Sequence, residues 1–232
     1  MATTNSSTFK IILGSSSMAR RQILAEMGFE FTVMIADIDE KELRREKPED
    51  LVMALAEAKA DAILSRLQHA SQFEEDARAT LLITADTNIF SFSIGWYVEL
   101  IEGCFLLLHL IDFEVVVYEG IIREKPSSKE EAREFIKGYS GGQAAVVGSV
   151  LVTNLKTGKR KGGWERAEVY FYNIPDDIID ILIEEAITLN VAGGLMLEHP
   201  LISPFVEAVV GTTDTVMGLP KALTEKVILE AL

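Results

Sequence analysis

The sequence predicts an α/β protein. Short apolar runs rich in β-branched residues alternate with helix-patterned segments through the first half, turn residues separate them, and neither an internal repeat nor a linker interrupts the 232-residue chain. A single domain over residues 1–232 is expected.

Phe9–Leu13 is a compact apolar run and reads as a buried strand. Gly14 to Ser17 supply a turn, Ala19–Met27 a helix, and Gly28 its stop. Phe29–Ile35 alternates as a second strand. Pro48 opens a helix with Glu49 and Asp50 against its N-terminal dipole and Leu51, Leu55, Ala58, Ala62 and Leu67 at helical spacing. Gln68–Ala79 is polar and reads as a surface loop, and Leu81–Ala85 as a strand. Val115–Tyr118 and Ile121–Ile122 suggest a hairpin. Ser127 or Ser128 caps a helix through Lys137. Ala144–Asn154 and Glu165–Tyr172 read as strands joined by a basic turn over Lys156–Gly163. A helix starts at Ile174-Pro175-Asp176-Asp177 and ends near Ala186, Glu207–Val210 is a strand, and Pro220–Leu232 a last helix.

Composition narrows the function. With 48% hydrophobic and 25% charged residues the chain is foldable. A net charge of −14 opposes binding to a nucleic-acid backbone, although a small phosphate ligand remains compatible through a local basic pocket or a divalent cation. One cysteine, Cys104, forms no internal disulfide and fits a reducing compartment. The polar first eight residues are unlike a secretory signal, and the most apolar window, Ile101–Ile111, is too short to cross a bilayer. The expectation is a soluble cytoplasmic protein that binds no membrane.

Four segments could carry chemistry. Gly14-Ser15-Ser16-Ser17-Met18-Ala19-Arg20-Arg21 lies between a strand and a helix, where backbone N–H groups attract anions; the other reading is an ordinary serine-capped helix start. Asp37-Ile38-Asp39-Glu40-Lys41-Glu42 offers hard oxygen ligands for Mg²⁺ or Mn²⁺, or is a solvated loop. Asp86 follows an apolar strand, a place where α/β proteins bind ligands, and could hold a cation or take a proton from water; it could equally cap a turn. Lys125, held before Pro126, could reach a phosphate or lie on the surface. The histidines lack metal-ligand spacing, and no nucleophile elbow or Walker loop occurs.

In their order these segments resemble the Maf proteins, relatives of the inosine triphosphate pyrophosphatases. The resemblance runs through Ile11 to Leu24 around the serine–arginine turn, Asp39-Glu40, Glu57-Ala58-Lys59-Ala60, Ala85-Asp86-Thr87, Glu124-Lys125-Pro126, Ser140-Gly141, Val191-Ala192-Gly193-Gly194 and Val216-Met217-Gly218-Leu219-Pro220. It implies a central mixed, twisted sheet flanked by helices, with a cleft between two lobes. It also implies hydrolysis of modified or non-canonical nucleoside triphosphates to monophosphate and pyrophosphate, a house-cleaning role, dependence on Mg²⁺ or Mn²⁺, and a homodimer. Ser15, Ser17 and Arg20 would cradle phosphates. Glu40 and Asp86 would hold the cation or orient water, and Lys59 and Lys125 would neutralise phosphoryl charge. Met18 stands where proline is usual and Ala19 where a first arginine or a tyrosine is usual. Thr87 resembles the branch acting on dTTP and UTP. Glu198 resembles the branch acting on N7-methyl-GTP, where a carboxylate would complement the cationic base.

Residues Asn88–Glu114 fall outside the resemblance. Without them Thr87 would join Val115 and restore the family pattern, so the segment is read as a translated retained intron or alternative exon, or else as an inserted lid or hairpin. Its apolar composition predicts that it covers the site, packs on a partner or promotes aggregation. Lower turnover than in a chain lacking it is expected. The other functional class open to the sequence is an inactive nucleotide-binding variant that regulates an active partner by mixed dimerisation.

Overall fold

The computed structural model describes residues 9–69, 79–92, 126–185, 187–194 and 196–232. The hairpin expected over 115–122, Lys125, Cys104 and most of the Asn88–Glu114 segment lie outside the described residues.

Six strands form one mixed sheet in the order β2-β1-β3-β4-β5-β6. They are β1 (Phe9–Leu13), β2 (Phe31–Val33), β3 (Ala79–Phe92), β4 (Gln143–Asn154), β5 (Arg160–Phe171) and β6 (Val206–Val210). β1 pairs in parallel with both β2 and β3, Leu13 lying opposite Val33 and Ile83. The helices α1 (Met18–Glu26) and α2 (Pro48–His69) are the crossovers that such parallel pairing requires. β4 and β5 form a hairpin closed by the Asn154 N–H to Lys159 carbonyl bond.

The residues group into two compact units. The first comprises residues 1–88, 146–167 and 210–232. Its central strands β3 and β4 are buried on both faces, which explains why they read as nearly unbroken apolar runs. Alternation along β3 decides which face each residue takes. Leu81, Ile83 and Ala85 pack with Ile23 and Leu24 of α1 and with Val227 and Ile228 of α6 (Lys221–Ala231). Leu82 packs on the other face with Ala56, Ala60 and Ile63 of α2. By the same parity Thr84 and Asp86 face α2.

The second unit comprises residues 89–145 and 168–209. It holds α3 (Lys129–Tyr139), capped by Ser128, and α4 (Asp176–Glu184). Ser140 ties into it by accepting from the Ile174 N–H and donating to the Ile174 carbonyl. The Tyr139 hydroxyl donates to the Gly193 carbonyl.

Several boundaries differ from the sequence reading. β3 does not end at Ala85 but continues through Thr87 to Phe92, so Asp86 sits within a strand and the extra segment begins as extended backbone. The buried stripe of α2 is Leu51, Val52, Leu55, Ala56, Lys59, Ala60 and Ile63; Ala58 and Ala62 are only half-buried, because the sheet touches the helix one position round from the expected leucine–alanine series. α2 also continues to His69, into the expected loop. β5 starts at Arg160, shortening the basic turn, since a hairpin ladder needs only the residues between Asn154 and Lys159 to reverse. A short helix α5 (Thr213–Val216) and the single-turn segments at Glu40–Glu42, Ile187–Asn190, Ala192–Gly194 and Ser203–Phe205 carry too few residues for a periodic signal.

Candidate active site

The serine-rich turn leaves β1 at Gly14, whose N–H donates to the Ile83 carbonyl. Gly14 is required there, since a Cβ would lie 2.7 Å from the Thr84 methyl and 2.8 Å from Ile63. Ser17 caps α1 by accepting from the Arg20 N–H. Ser15 is buried and its Oγ accepts from the Ser17 N–H at 3.2 Å and from Arg20 Nη1 at 3.2 Å. A hydroxyl with both acceptor positions taken keeps its own proton for a third partner.

Arg20 braces three segments. Besides Ser15, its Nη2 donates to Thr87 Oγ1 at 3.0 Å and its Nε to the Gly218 carbonyl at 2.9 Å. Burial lowers the guanidinium pKa from its ordinary value, while the charges of Asp86 and Glu40 raise it.

Beside this brace lies an acid–lysine–acid cluster. Lys59, on the sheet-facing stripe of α2, places Nζ 2.6 Å from Asp86 Oδ1 and 2.8 Å from Glu40 Oε1. Lys59 and Asp86 are buried, whereas the Glu40 side chain is 46% exposed. Asp86 Oδ2 is buried with no hydrogen-bond partner. Burial pushes the Asp86 carboxyl above the usual carboxylate range, against the opposing charges of Lys59 and then Arg20. Two hydroxyls buttress the cluster: Thr84 Oγ1 donates to the Ala56 carbonyl at 2.8 Å, and Ser149 Oγ donates to the Val52 carbonyl at 2.8 Å and accepts from the Asp86 N–H at 3.3 Å.

The structure thus brings together Ser15, Arg20 and Thr87 in one network and Glu40, Lys59 and Asp86 in another, the two linked by the field of Asp86 and Glu40 on Arg20. Ser17 is engaged as a helix cap. Glu198 is exposed and belongs to the second unit. Lys125 is outside the described residues. Sequence reasoning misses Thr84, Ser149 and Gly218. The signal for Thr84 is its place two residues before Asp86, on the same strand face. Gly218 sits in a segment that carries the resemblance but has no role assigned by it.

Helices cover the central strands on both faces, and buried Lys59 and Asp86 meet the more exposed Glu40 beside an arginine-braced serine turn. The chain belongs to the Maf-like protein family, whose model matches residues 10–231. It is 34% identical over 218 residues to a protein of Dictyostelium discoideum named 7-methyl-GTP pyrophosphatase, covering 94% of this chain and 95% of that one. It is 26% identical over 211 residues to a dTTP/UTP pyrophosphatase of Alkaliphilus metalliredigens, covering 91% and 90%. A solved nucleoside-triphosphatase, dITP/XTP pyrophosphatase, from Mycobacterium abscessus aligns at 12% identity over 72% of this chain and 76% of that one with a TM-score of 0.34, a likeness too slight to bear on function. No described helix is long and apolar enough to cross a membrane.

Proposed function

We propose that this chain hydrolyses a nucleoside triphosphate between its α- and β-phosphoryl groups. One water is consumed, and the monophosphate and pyrophosphate are released. The observation that carries the reading is buried Lys59 set between Glu40 and buried Asp86, with Asp86 Oδ2 left without a partner. Membership of the Maf-like family and relatives named as pyrophosphatases support it.

The residues fit a divalent cation. Mg²⁺ and its relatives are commonly held by one or two carboxylates, completed by water and substrate phosphates. Asp86 and Glu40 supply two carboxylates, and the buried free oxygen of Asp86 is the kind of donor such an ion satisfies; no group of three possible ligands occurs among the described residues. When bound, the cation would offset the charge on the triphosphate oxygens.

The remaining work falls to the protein's own side chains. Ser15, its lone pairs occupied, turns its hydroxyl proton toward a phosphoryl oxygen. Arg20 holds Ser15 and Thr87 in place and contributes positive potential. Lys59 neutralises charge as the bridging P–O bond breaks. The raised pKa of Asp86 brings it closer to the range in which a carboxylate can take a proton from the attacking water. Lys125 and Glu198 enter this reading through the family pattern alone, as a second cation on the phosphates and as the acceptor that selects the base. The greater identity to the 7-methyl-GTP pyrophosphatase, together with Glu198, favours N7-methyl-GTP over dTTP or UTP. A cytoplasmic homodimer belongs to the same reading.

Pyrophosphate release from N7-methyl-GTP, dTTP, UTP and GTP with Mn²⁺ tests the proposal. Turnover highest on N7-methyl-GTP and abolished by Asp86→Asn is expected. A folded protein that turns over none of the four would overturn it.

A further inference from the structure

The interface between α2 and the sheet is mostly smooth. Ala56, Ala60, Ile63, Leu82 and Leu151 meet across it. Such apolar contact has no preferred direction. A helix held only by these residues could shift along its axis at modest cost, yet a one-turn slip of about 5.4 Å would carry Lys59 away from Asp86. Two directional contacts oppose the slip. Thr84 Oγ1 donates to the Ala56 carbonyl, and Ser149 Oγ to the Val52 carbonyl, both at 2.8 Å. Thr84 and Ser149 are each fully buried. Val52, Ala56 and Lys59 follow one another at four- and three-residue spacing, so both pegs and the lysine share one face of the helix. On the sheet side Thr84 stands two residues from Asp86, and Ser149 also accepts from the Asp86 N–H at 3.3 Å. The Thr84 methyl lies toward Gly14, 2.7 Å from where a Cβ there would stand, while its hydroxyl reaches α2.

We infer that Thr84 and Ser149 are positioning residues, which set the axial register of α2 and so hold Lys59 Nζ against Asp86. The inference rests on the pyrophosphatase reading for its kinetic consequence but not for its geometry. Thr84→Val keeps the branched shape, removes the hydroxyl, and places a methyl where an oxygen lay 2.8 Å from the Ala56 carbonyl, forcing the helix outward. Ser149→Ala removes the second peg without adding bulk. Thr84→Ser keeps the hydroxyl and loses the methyl, so it loosens packing while retaining register.

The test combines kinetics, thermal denaturation and crystal structures of the three full-length variants. Misplacement of a reacting group by about 1 Å can cost about a hundredfold in rate. Thr84→Val and Ser149→Ala are expected to lower kcat about ten- to a hundredfold with KM within about twofold, and to move Lys59 Nζ beyond about 4 Å from Asp86 Oδ1. Thr84→Ser is expected to keep kcat although it melts earlier. Equal losses in Thr84→Ser and Thr84→Val would show that only packing matters and overturn the inference. So would an undisplaced Lys59 in both hydroxyl-deleted variants. If wild-type protein releases no pyrophosphate, the functional reading fails, and the Lys59–Asp86 distances still decide whether the pegs set the register.

Discussion

Gly28 and Gly218 allow backbone strain to be separated from damage to the site. Both have positive φ, +80° and +100°. Alanine at either position carries the penalty of a left-handed backbone, about 1–2 kcal/mol. Their surroundings differ. A Cβ at Gly28 meets nothing within 4 Å, whereas a Cβ at Gly218 lies 2.8 Å from Thr87 Oγ1 and 3.2 Å from Arg20 Nε. Contacts that close force neighbours off their rotamers at a further cost of about 1–3 kcal/mol. Gly28→Ala should therefore lose about 1–2 kcal/mol, and Gly218→Ala about 2–5 kcal/mol. For a chain of this length each kcal/mol corresponds to about 2–4 °C in Tm. The groups pushed at position 218 are those that brace Ser15 and Thr87, so Gly218→Ala should also reduce pyrophosphate release by at least about tenfold, one decade being about 1.4 kcal/mol of barrier. Gly28→Ala should leave turnover unchanged. Thermal denaturation and a coupled pyrophosphate assay on the two variants measure both effects. Similar turnover in the two variants would refute the role given to the Arg20–Thr87–Gly218 contact.

Lys59→Met should fold and lose about a hundredfold or more in kcat, as expected when one preorganised cation is removed, and steady-state kinetics would show it. Asp86→Asn should change stability with a defined sign. The folded-state pKa of Asp86 is raised, so the stability its protonated form contributes is fully present below the unfolded carboxylate pKa of about 4 and is lost as pH rises through the folded value. Asp86→Asn should therefore be at least as stable as wild type at neutral pH, with the difference closing as pH falls toward about 4 in urea titrations. Thr188→Val should gain about 1 kcal/mol in the same measurement, because the buried Thr188 Oγ1 has no hydrogen-bond partner.

The fold is legible where one residue type carries the signal locally. Phe9–Leu13 is found at its expected bounds, and Gly28, Ser128 and Pro220 mark helix ends as their chemistry requires. Lys59 is found through its resemblance, not its surroundings. In sequence it is one lysine among alanines, and burial against the sheet, a tertiary property, is what distinguishes it. The end of β3 misleads because Asp86-Thr87-Asn88 looks like turn chemistry, and only pairing within the sheet keeps such residues extended. Thr84 and Ser149 escape notice because a hydroxyl inside an apolar run has no local meaning until the carbonyl it reaches is known.

The unbroken course of β3 through Thr87 bears on how a sheet tolerates changed sequence at the far end of a strand. An extended strand is specified mainly by hydrogen-bonding backbone and loosely alternating side chains, so many five-residue stretches can serve as its continuation. Here the stretch after Thr87 is Asn-Ile-Phe-Ser-Phe, and it continues the strand. Sequence that changes after Thr87 falls where a sheet selects weakly, and the residues before it stay in their ladder. Where along the strand the sequence changes, more than which residues follow, then decides whether Asp86 keeps its contact with Lys59.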